Sequence, residues 1–329
     1  MKAWLLNKLE GLGELHLADV ADPVPGRGDV VLDVELAALN PADRYLTQGE
    51  YPTRATMPHI LGRDGVGVIS AVGSNVPDLK IGQRMLILRG DTGVHRWGSF
   101  AQKVAVATES LTALPAGWTL EESAAAPLVY LTAYQALTQF GDLPPSVVLI
   151  TGASGGVGVA SVQLAKALGH TTIALSRSAE KQKKLLNIGA DLALDPASAN
   201  WRKDVREFLG ARRVDLIIDN IGGPLLPDAM ETLGANGRIS IVGRLAGPVP
   251  QFNTASMIFR RLRMGGVAVG AYTPSESQKT WKVVLGLIER TGARPLIDHV
   301  FPFKELLPAF ERLAAGPMGK VLLDVRKIN

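Results

Sequence analysis

An apolar run, Val147-Val148-Leu149-Ile150-Thr151, passes directly into the turn Gly152-Ala153-Ser154-Gly155-Gly156-Val157-Gly158. Residues of these types at this spacing suit the pyrophosphate of a dinucleotide. Gly155 lets the backbone approach the phosphates, Gly158 lets the following helix pack tightly on its strand, and free N–H groups at the helix start attract negative charge. The form is Ala153-x-Gly155-x-x-Gly158, with alanine in the first place. Its surroundings match: a buried-strand pattern precedes it, and Val159, Val162, Ala165 and Leu168 follow at the spacing of one helical face, ended by Gly169. Ala153, Ser154, Gly155, Gly156 and Val157 are the expected phosphate contacts.

The next strand narrows the cofactor. Roughly twenty residues past such glycines, proteins that prefer NAD usually offer a carboxylate to the ribose. Here Thr171-Thr172-Ile173-Ala174-Leu175 ends in Ser176-Arg177-Ser178, with Lys181 one turn on. Hydroxyls and cations suit a 2′-phosphate, and a guanidinium can also stack on adenine. The expected cofactor is therefore NADPH, held through Ser176, Arg177 and Lys181, with Lys183 and Lys184 on the solvated face of the helix.

Composition bounds the rest. A chain of 329 residues with 47% apolar and 20% charged residues accommodates two domains of ordinary globular character. No run approaches the roughly eighteen apolar residues of a membrane span, and the start of the sequence shows no cleavable-signal pattern, so a cytoplasmic location is expected. Net charge is +4, and outside Arg260-Arg261-Arg263 the basic residues are dispersed; no nucleic-acid partner is expected. Cysteine is absent, which removes disulfides and thiolate chemistry. The five histidines, His16, His59, His95, His170 and His299, form no short ligand pair, and no metal site is expected.

After Asp142-Leu143-Pro144-Pro145 apolar strands alternate with helices, the pattern of a doubly wound parallel sheet of Rossmann type. Strands are expected at 147–151, 171–176, 191–194, 214–219, 238–242 and 264–270, and helices near 156–168, 179–187, 200–210 and 224–234. Asn220 falls at the carboxyl end of the fourth strand, where ligands sit in such sheets. The first 125 residues instead show short apolar runs, Asp29–Ala37, Gly65–Val72, Arg84–Leu88 and Phe100–Ala107, broken by Gly and Pro, which predict a compact, mostly β domain. Helices near 276–291 and 304–314 follow the parallel-sheet region. The last strand, Lys320–Val325, has no helix after it and is expected to return to the β domain.

Several motifs together resemble the medium-chain dehydrogenase/reductases. They are Ala38-Leu39-Asn40-Pro41-Ala42-Asp43, Gln48-Gly49-Glu50-Tyr51-Pro52, Leu61-Gly62-Arg63-Asp64-Gly65-Val66-Gly67, Gly98-Ser99-Phe100-Ala101, Thr132-Ala133-Tyr134, and the glycine turn followed by Leu186-Asn187-Ile188-Gly189-Ala190-Asp191. The resemblance spans essentially the whole chain. It implies an α/β fold with a GroES-like, mostly-β catalytic domain at 1–124, completed by 271–329, and a Rossmann NADP-binding domain at 125–270. Zinc members of that family carry a cysteine in place of Asn40 and a His-Glu pair in place of Arg63-Asp64. The chain is therefore similar to the metal-free branch of quinone, enone and enoyl-thioester reductases.

The resemblance implies catalytic roles for Asn40, in the place of a zinc ligand, and for Tyr51, as proton donor or oxyanion partner. Each has a plain alternative: Asn40 as a turn residue before Pro41, and Tyr51 as a loop wedge. Thr132 matches a family threonine near the nicotinamide, and Val242, Gly243 and Val269 match positions that hold ribose and carboxamide through backbone groups. Asp43 and Asp64 are expected to brace loops, and Trp97, Tyr130 and Phe252 to line an apolar pocket or fill the core. Loops around 45–60, 90–97 and 245–260 are expected to shape that pocket.

Without a metal, an acceptor that spreads incoming charge is the easier one to reduce, such as a quinone or an α,β-unsaturated carbonyl. An NADPH-dependent reductase of these small molecules is the leading expectation, as a homodimer joined through edge strands near 264–270. Two alternatives stay open. One is an enoyl-thioester reductase, whose phosphate-bearing substrate would use Arg260, Arg261 and Arg263. The other is an NADPH-binding sensor or nucleic-acid-binding protein without turnover.

Overall fold

The computed structural model describes residues 1–53, 55–141, 144–247 and 250–327. Arg54, Pro248 and Val249 of the expected pocket loops, and Asp142 and Leu143 at the expected change of pattern, lie outside the described residues. The chain packs as two units. One holds Met1–Leu128, Tyr272–Lys279 and Leu296–Asn329, and the other holds Val129–Ala271 and Thr280–Pro295. Residues 280–295, part of the segment expected to complete the β domain, thus pack with the second unit.

The strands of the first unit are β1 (Lys2–Leu6), β2 (Leu15–Asp19), β3 (Asp29–Ala38), β4 (His59–Ile60), β5 (Asp64–Val72), β6 (Arg84–Ile87), β7 (Lys103–Ala107) and β8 (Leu111–Ala113). Those of the second are β9 (Val147–Ile150), β10 (Thr171–Leu175), β11 (Leu192–Leu194), β12 (Val214–Asp219), β13 (Leu233–Ile241) and β14 (Arg263–Gly266). Two more, β15 (Ile297–Pro302) and β16 (Lys320–Asp324), return to the first unit. The helices are α1 (Pro41–Thr47), α2 (Leu120–Ala125), α3 (Pro127–Thr138), α4 (Gly156–Ala167), α5 (Ala179–Asn187), α6 (Trp201–Leu209), α7 (Leu225–Met230), α8 (Ala255–Arg260), α9 (Pro274–Thr291) and α10 (Leu306–Ala314).

In the first unit the long strand β3 organises the packing. Its even positions Val30, Leu32 and Val34 face one core, whereas Leu36 and Ala38 belong to a second cluster with Val66, Leu86 and Leu322. The pairing of β3 with β5 shifts register between Val34 and Leu36. An extra residue at that point reverses the side-chain alternation, which is how one strand serves two clusters. The larger core is closed by Phe303 and by Phe100 edge-on to Phe310 at 6.0 Å, a geometry that contributes about 1 kcal/mol beyond burial. β16 runs antiparallel to β3 and parallel to β15. The last strand therefore closes the β domain, as its lack of a following helix suggests.

In the second unit six parallel strands lie in the order β11-β10-β9-β12-β13-β14. This is the doubly wound Rossmann order, reversing direction of growth between β9 and β12. Val147–Ile150 is buried at every position because helices cover both faces of the sheet. Three details differ from the sequence expectation. α7 stops at Met230, not 234: the chain turns at Glu231 and Thr232, and β13 already begins at Leu233, earlier than the expected 238. β14 ends at Gly266, and residues 269–271 form a 3-10 turn. α4 is buried from Gly158 through Ala165, wider than a single face.

His170 precedes β10, and its Nδ1 accepts the Ser146 N–H at 3.1 Å. Burial holds its pKa below the ordinary histidine value. The folded state thus keeps this imidazole neutral while the unfolded chain can protonate it, so stability is lost as pH falls below about 6.5. We expect His170→Asn, which keeps an acceptor but cannot ionise, to reduce the fall in Tm between pH 7 and 5 measured by differential scanning calorimetry.

Candidate active site

The glycine turn after β9 belongs to a rim laced by hydrogen bonds. The Thr151 hydroxyl donates to Asp219 Oδ1 at 2.6 Å and accepts the Asn220 N–H at 3.0 Å. Asn220 Nδ2 donates to the Thr151 carbonyl at 2.8 Å, leaving its buried Oδ1 without a partner among the described residues. The Asp219 carbonyl receives the N–H groups of Val242 and Gly243 at 2.8 and 3.1 Å. A Cβ on Gly243 would stand 2.4 Å from the Asn220 carbonyl oxygen, so only glycine permits this approach. The carboxyl ends of β9, β12 and β13 are thereby fixed together, beside the switch in strand order where ligands bind in such sheets.

The turn itself has the form a phosphate group needs. Gly155 is the N-cap of α4 and supplies no side-chain cap, which leaves the donors of the first turn for an anion. A Cβ on Gly158 would lie 2.5 Å from the Gly152 carbonyl oxygen, so this glycine lets helix and turn pack in contact. Ala153 is buried, while Ser154, Gly155, Gly156 and Val157 keep partial exposure. Thr132 is half-buried on α3, and Val269 is buried in the 3-10 turn after β14.

Beyond β10, Ser176 is buried, its N–H bonded to the Leu194 carbonyl at 2.9 Å. Arg177 is exposed and carries no hydrogen bond or ion pair among the described residues. Ser178 caps α5, whose first turn contains Lys181. The one acid of that turn, Glu180, is paired with Lys184 at 2.7 Å. The corner thus presents hydroxyls and an uncommitted guanidinium.

In the first unit the sequence-selected Asn40 and Tyr51 belong to a buried ionic network. Register builds it. Ala38 of β3 lies opposite Asp64 of β5, and on the other side Leu39 N–H bonds to the Val321 carbonyl of β16 at 3.0 Å, which sets Lys320 beside Asn40. Lys320 Nζ donates to the Leu39 carbonyl at 2.9 Å and to Asn40 Oδ1 at 2.7 Å, and it pairs with Asp64 Oδ2 at 3.4 Å. Asn40 Nδ2 donates to Asp64 Oδ2 at 3.0 Å and to the Ala38 carbonyl at 3.2 Å. Asp43 accepts the Asn40 N–H at 2.9 Å and Arg63 Nε at 2.9 Å. Arg63 Nη1 donates to the Tyr51 hydroxyl at 3.1 Å, with the guanidinium carbon 4.8 Å from the ring centre.

Burial governs the charges. It pushes the Asp64 carboxyl up and the Lys320 ammonium down, each opposed by the other's charge. Burial also works against Arg63, but Asp43 and Tyr51 outweigh it and hold the guanidinium above its ordinary pKa. Trp97 donates to the Pro58 carbonyl at 3.0 Å, and Tyr130 is buried with its hydroxyl on Gln163. Phe252 packs on the core of the second unit.

Comparison with known proteins places this geometry. Residues 26–116 match the alcohol dehydrogenase GroES-like domain, and residues 156–290 match the zinc-binding dehydrogenase domain. The chain is 30% identical over 330 residues to the rat synaptic vesicle membrane protein VAT-1 homolog, covering 94% of this chain and 80% of that protein. It is 28% identical over 309 residues to the pig quinone oxidoreductase, covering 93% and 92%. The chain belongs to the medium-chain dehydrogenase/reductases, in the quinone oxidoreductase-like branch. Among solved structures, an NAD-dependent alcohol dehydrogenase matches with TM-score 0.90 at 28% identity over 99% of this chain and 100% of that one. A mycobacterial protein crystallised with NADPH matches with TM-score 0.87 at 26% identity over 98% and 99%.

The name of one matched domain carries zinc, which takes Cys, His or carboxylate ligands. This medium-chain dehydrogenase/reductase has no cysteine, and the described residues contain no group of three His, Cys, Asp or Glu able to hold a metal. More decisive is what stands beside Asn40 and Asp64: an ammonium, in contact with both. A fixed positive charge there opposes a second cation, so these donors do not suit zinc.

Sequence reasoning missed Lys320 and gave Arg63 only as part of a departure from the zinc pattern. A signal existed: Lys320 opens a strand that is buried at all five positions, and a lysine in such a strand needs a counter-ion. Asn40 proves committed at both ends of its amide, and Asp43 and Asp64 anchor cations as well as loops. We expect Lys320→Met, which strands Asp64 in the core, to lower unfolding free energy by about 3–5 kcal/mol in urea titrations. Adding Asp64→Asn should recover part of the loss.

Proposed function

We propose that the protein is an NADPH-dependent reductase that acts without a metal on quinones or α,β-unsaturated carbonyls. The observation that carries this reading is the Lys320 ammonium beside Asn40 and Asp64, where a metal-dependent relative would offer ligands. Similarity to quinone oxidoreductases supports the same choice of acceptor. The uncommitted Arg177, with Ser176 and Lys181, favours the phosphorylated cofactor, since the nearby carboxylate of Glu180 is occupied by Lys184.

Bound at the glycine turn, the cofactor supplies a hydride. We assign the pyrophosphate to the N–H groups from Ala153 to Val157, and the ribose and carboxamide side to Thr132, Asn220, Val242, Gly243 and Val269. In the first unit we assign Tyr51 to the acceptor oxygen: its hydroxyl donates a hydrogen bond as negative charge develops there, then gives up its proton and is reprotonated from water. Asn40 orients this machinery through Asp64 and Lys320. A homodimer is part of the reading, supported by the edge position of β14 and by the exposed Ile258 and Phe259 of α8.

The direct test follows NADPH oxidation with 1,4-benzoquinone, 9,10-phenanthrenequinone, a simple enone, crotonyl-CoA and a plain aldehyde. Turnover of quinones or the enone is expected. Preference for crotonyl-CoA would move the assignment to thioester reduction, and activity on the aldehyde alone would refute it. We further expect Arg177→Ala to raise KM for NADPH about tenfold or more while KM for NADH changes little. Equal effects on both would reject the phosphate contact. Tyr51→Phe should lower kcat by about 100-fold, and unchanged turnover would reduce Tyr51 to packing.

A further inference from the structure

Arg63 is 95% buried, and its contacts exceed what charge balance requires. Nε alone engages Asp43, at 2.9 Å. Nη1 is spent on the Tyr51 hydroxyl, at 3.1 Å, and the guanidinium carbon stands 4.8 Å from the centre of the same ring. Nη2 is buried with no hydrogen-bond partner among the described residues, so the guanidinium is held here at a desolvation cost. The other oxygen of Asp43 accepts the Asn40 N–H, and the guanidinium reaches beyond the carboxylate to the phenol.

We propose that Arg63 is a positioning residue for Tyr51, fixing the phenol so that its proton is presented to the oxygen of the acceptor. A hydroxyl oxygen that accepts from Nη1 must direct its own hydrogen elsewhere, and Arg63 has no acceptor atom to receive it. Asp43 completes the relay of position: it is anchored by the Asn40 N–H at 2.9 Å and holds Nε in turn, so the phenol is aimed from the first turn of α1, which Asn40 caps. No bond is made or broken at Arg63. The proton passes from Tyr51 to the substrate oxygen and is replaced from water, and Arg63 stays charged throughout.

The proposal rests on Tyr51 acting as proton donor in the reductase reading, and a double-mutant cycle separates the two. With a quinone or enone that the native protein reduces, Arg63→Gln should lower kcat about tenfold, the effect of one charged hydrogen bond, with KM for NADPH unchanged. Arg63→Lys should restore part of the loss, and in the Tyr51→Phe background Arg63→Gln should cost nothing further. An equal loss with and without the phenol would overturn the proposal. Should Arg63→Gln fail to fold because Asp43 loses its counter-ion, the cycle is run with Arg63→Lys, which keeps the charge; an effect that survives Tyr51→Phe would again refute the role. If no acceptor is turned over, the reductase reading fails, while the contact is still read from the near-ultraviolet absorbance difference between Arg63→Lys and native protein. That difference should vanish in the Tyr51→Phe background, and its persistence would overturn the pairing.

Discussion

Two carboxylates and two cations stand in the interior of the first unit almost out of reach of water, and everything near Tyr51 depends on their mutual compensation. Asp64 and Asp43 are fully buried, Lys320 and Arg63 nearly so. Isolated, each charge would be too costly to keep. Together with the amide of Asn40 they form one hydrogen-bonded array that ties β16 to the loop after β3 and to the start of β5. Such an array gains little net stability over an apolar core, but it fixes positions, and in the proposed reading the position it fixes is that of the Tyr51 hydroxyl.

In the proposed function the array also bears on the chemistry. A lysine ammonium contacts both Asn40 and Asp64, and on the proposed reading a carbonyl that needs strong polarisation is a poor acceptor. Quinones and conjugated carbonyls carry their own means of spreading charge, so hydrogen bonding and orientation suffice. In the second unit an analogous economy operates with neutral groups: Thr151, Asp219 and Asn220 hold three strand ends in register, and the close approach at Gly243 follows from that lacing.

Much of this was legible in the sequence because its causes are local. The strand, glycine turn and helix from Val147 to Ala167 follow from residue spacing, and the parallel order of the strands follows from their alternation with helices. The end of α7 was misjudged because the helical reading was carried to Gly234, whereas the chain leaves the helix at Glu231 and is in β13 from Leu233. The ionic array was less visible for a different reason. Lys320 lies some 280 residues beyond Asn40, and only the pairing of β16 with β3, itself set by core packing, brings them together. Arg63 and Tyr51 lie only twelve residues apart, yet no residue spacing marks their side chains as partners.

The central claim of the proposed function is that, in this chain, the Lys320 ammonium beside Asn40 and Asp64 stands in place of a metal. The measurement that tests it most directly is elemental analysis of the protein alongside NADPH-dependent quinone or enone reduction, before and after dialysis against a chelator. Full turnover by protein carrying far less than one zinc per chain is the expected result. One tightly held zinc per chain, with activity lost on its removal and restored on its return, would contradict the claim.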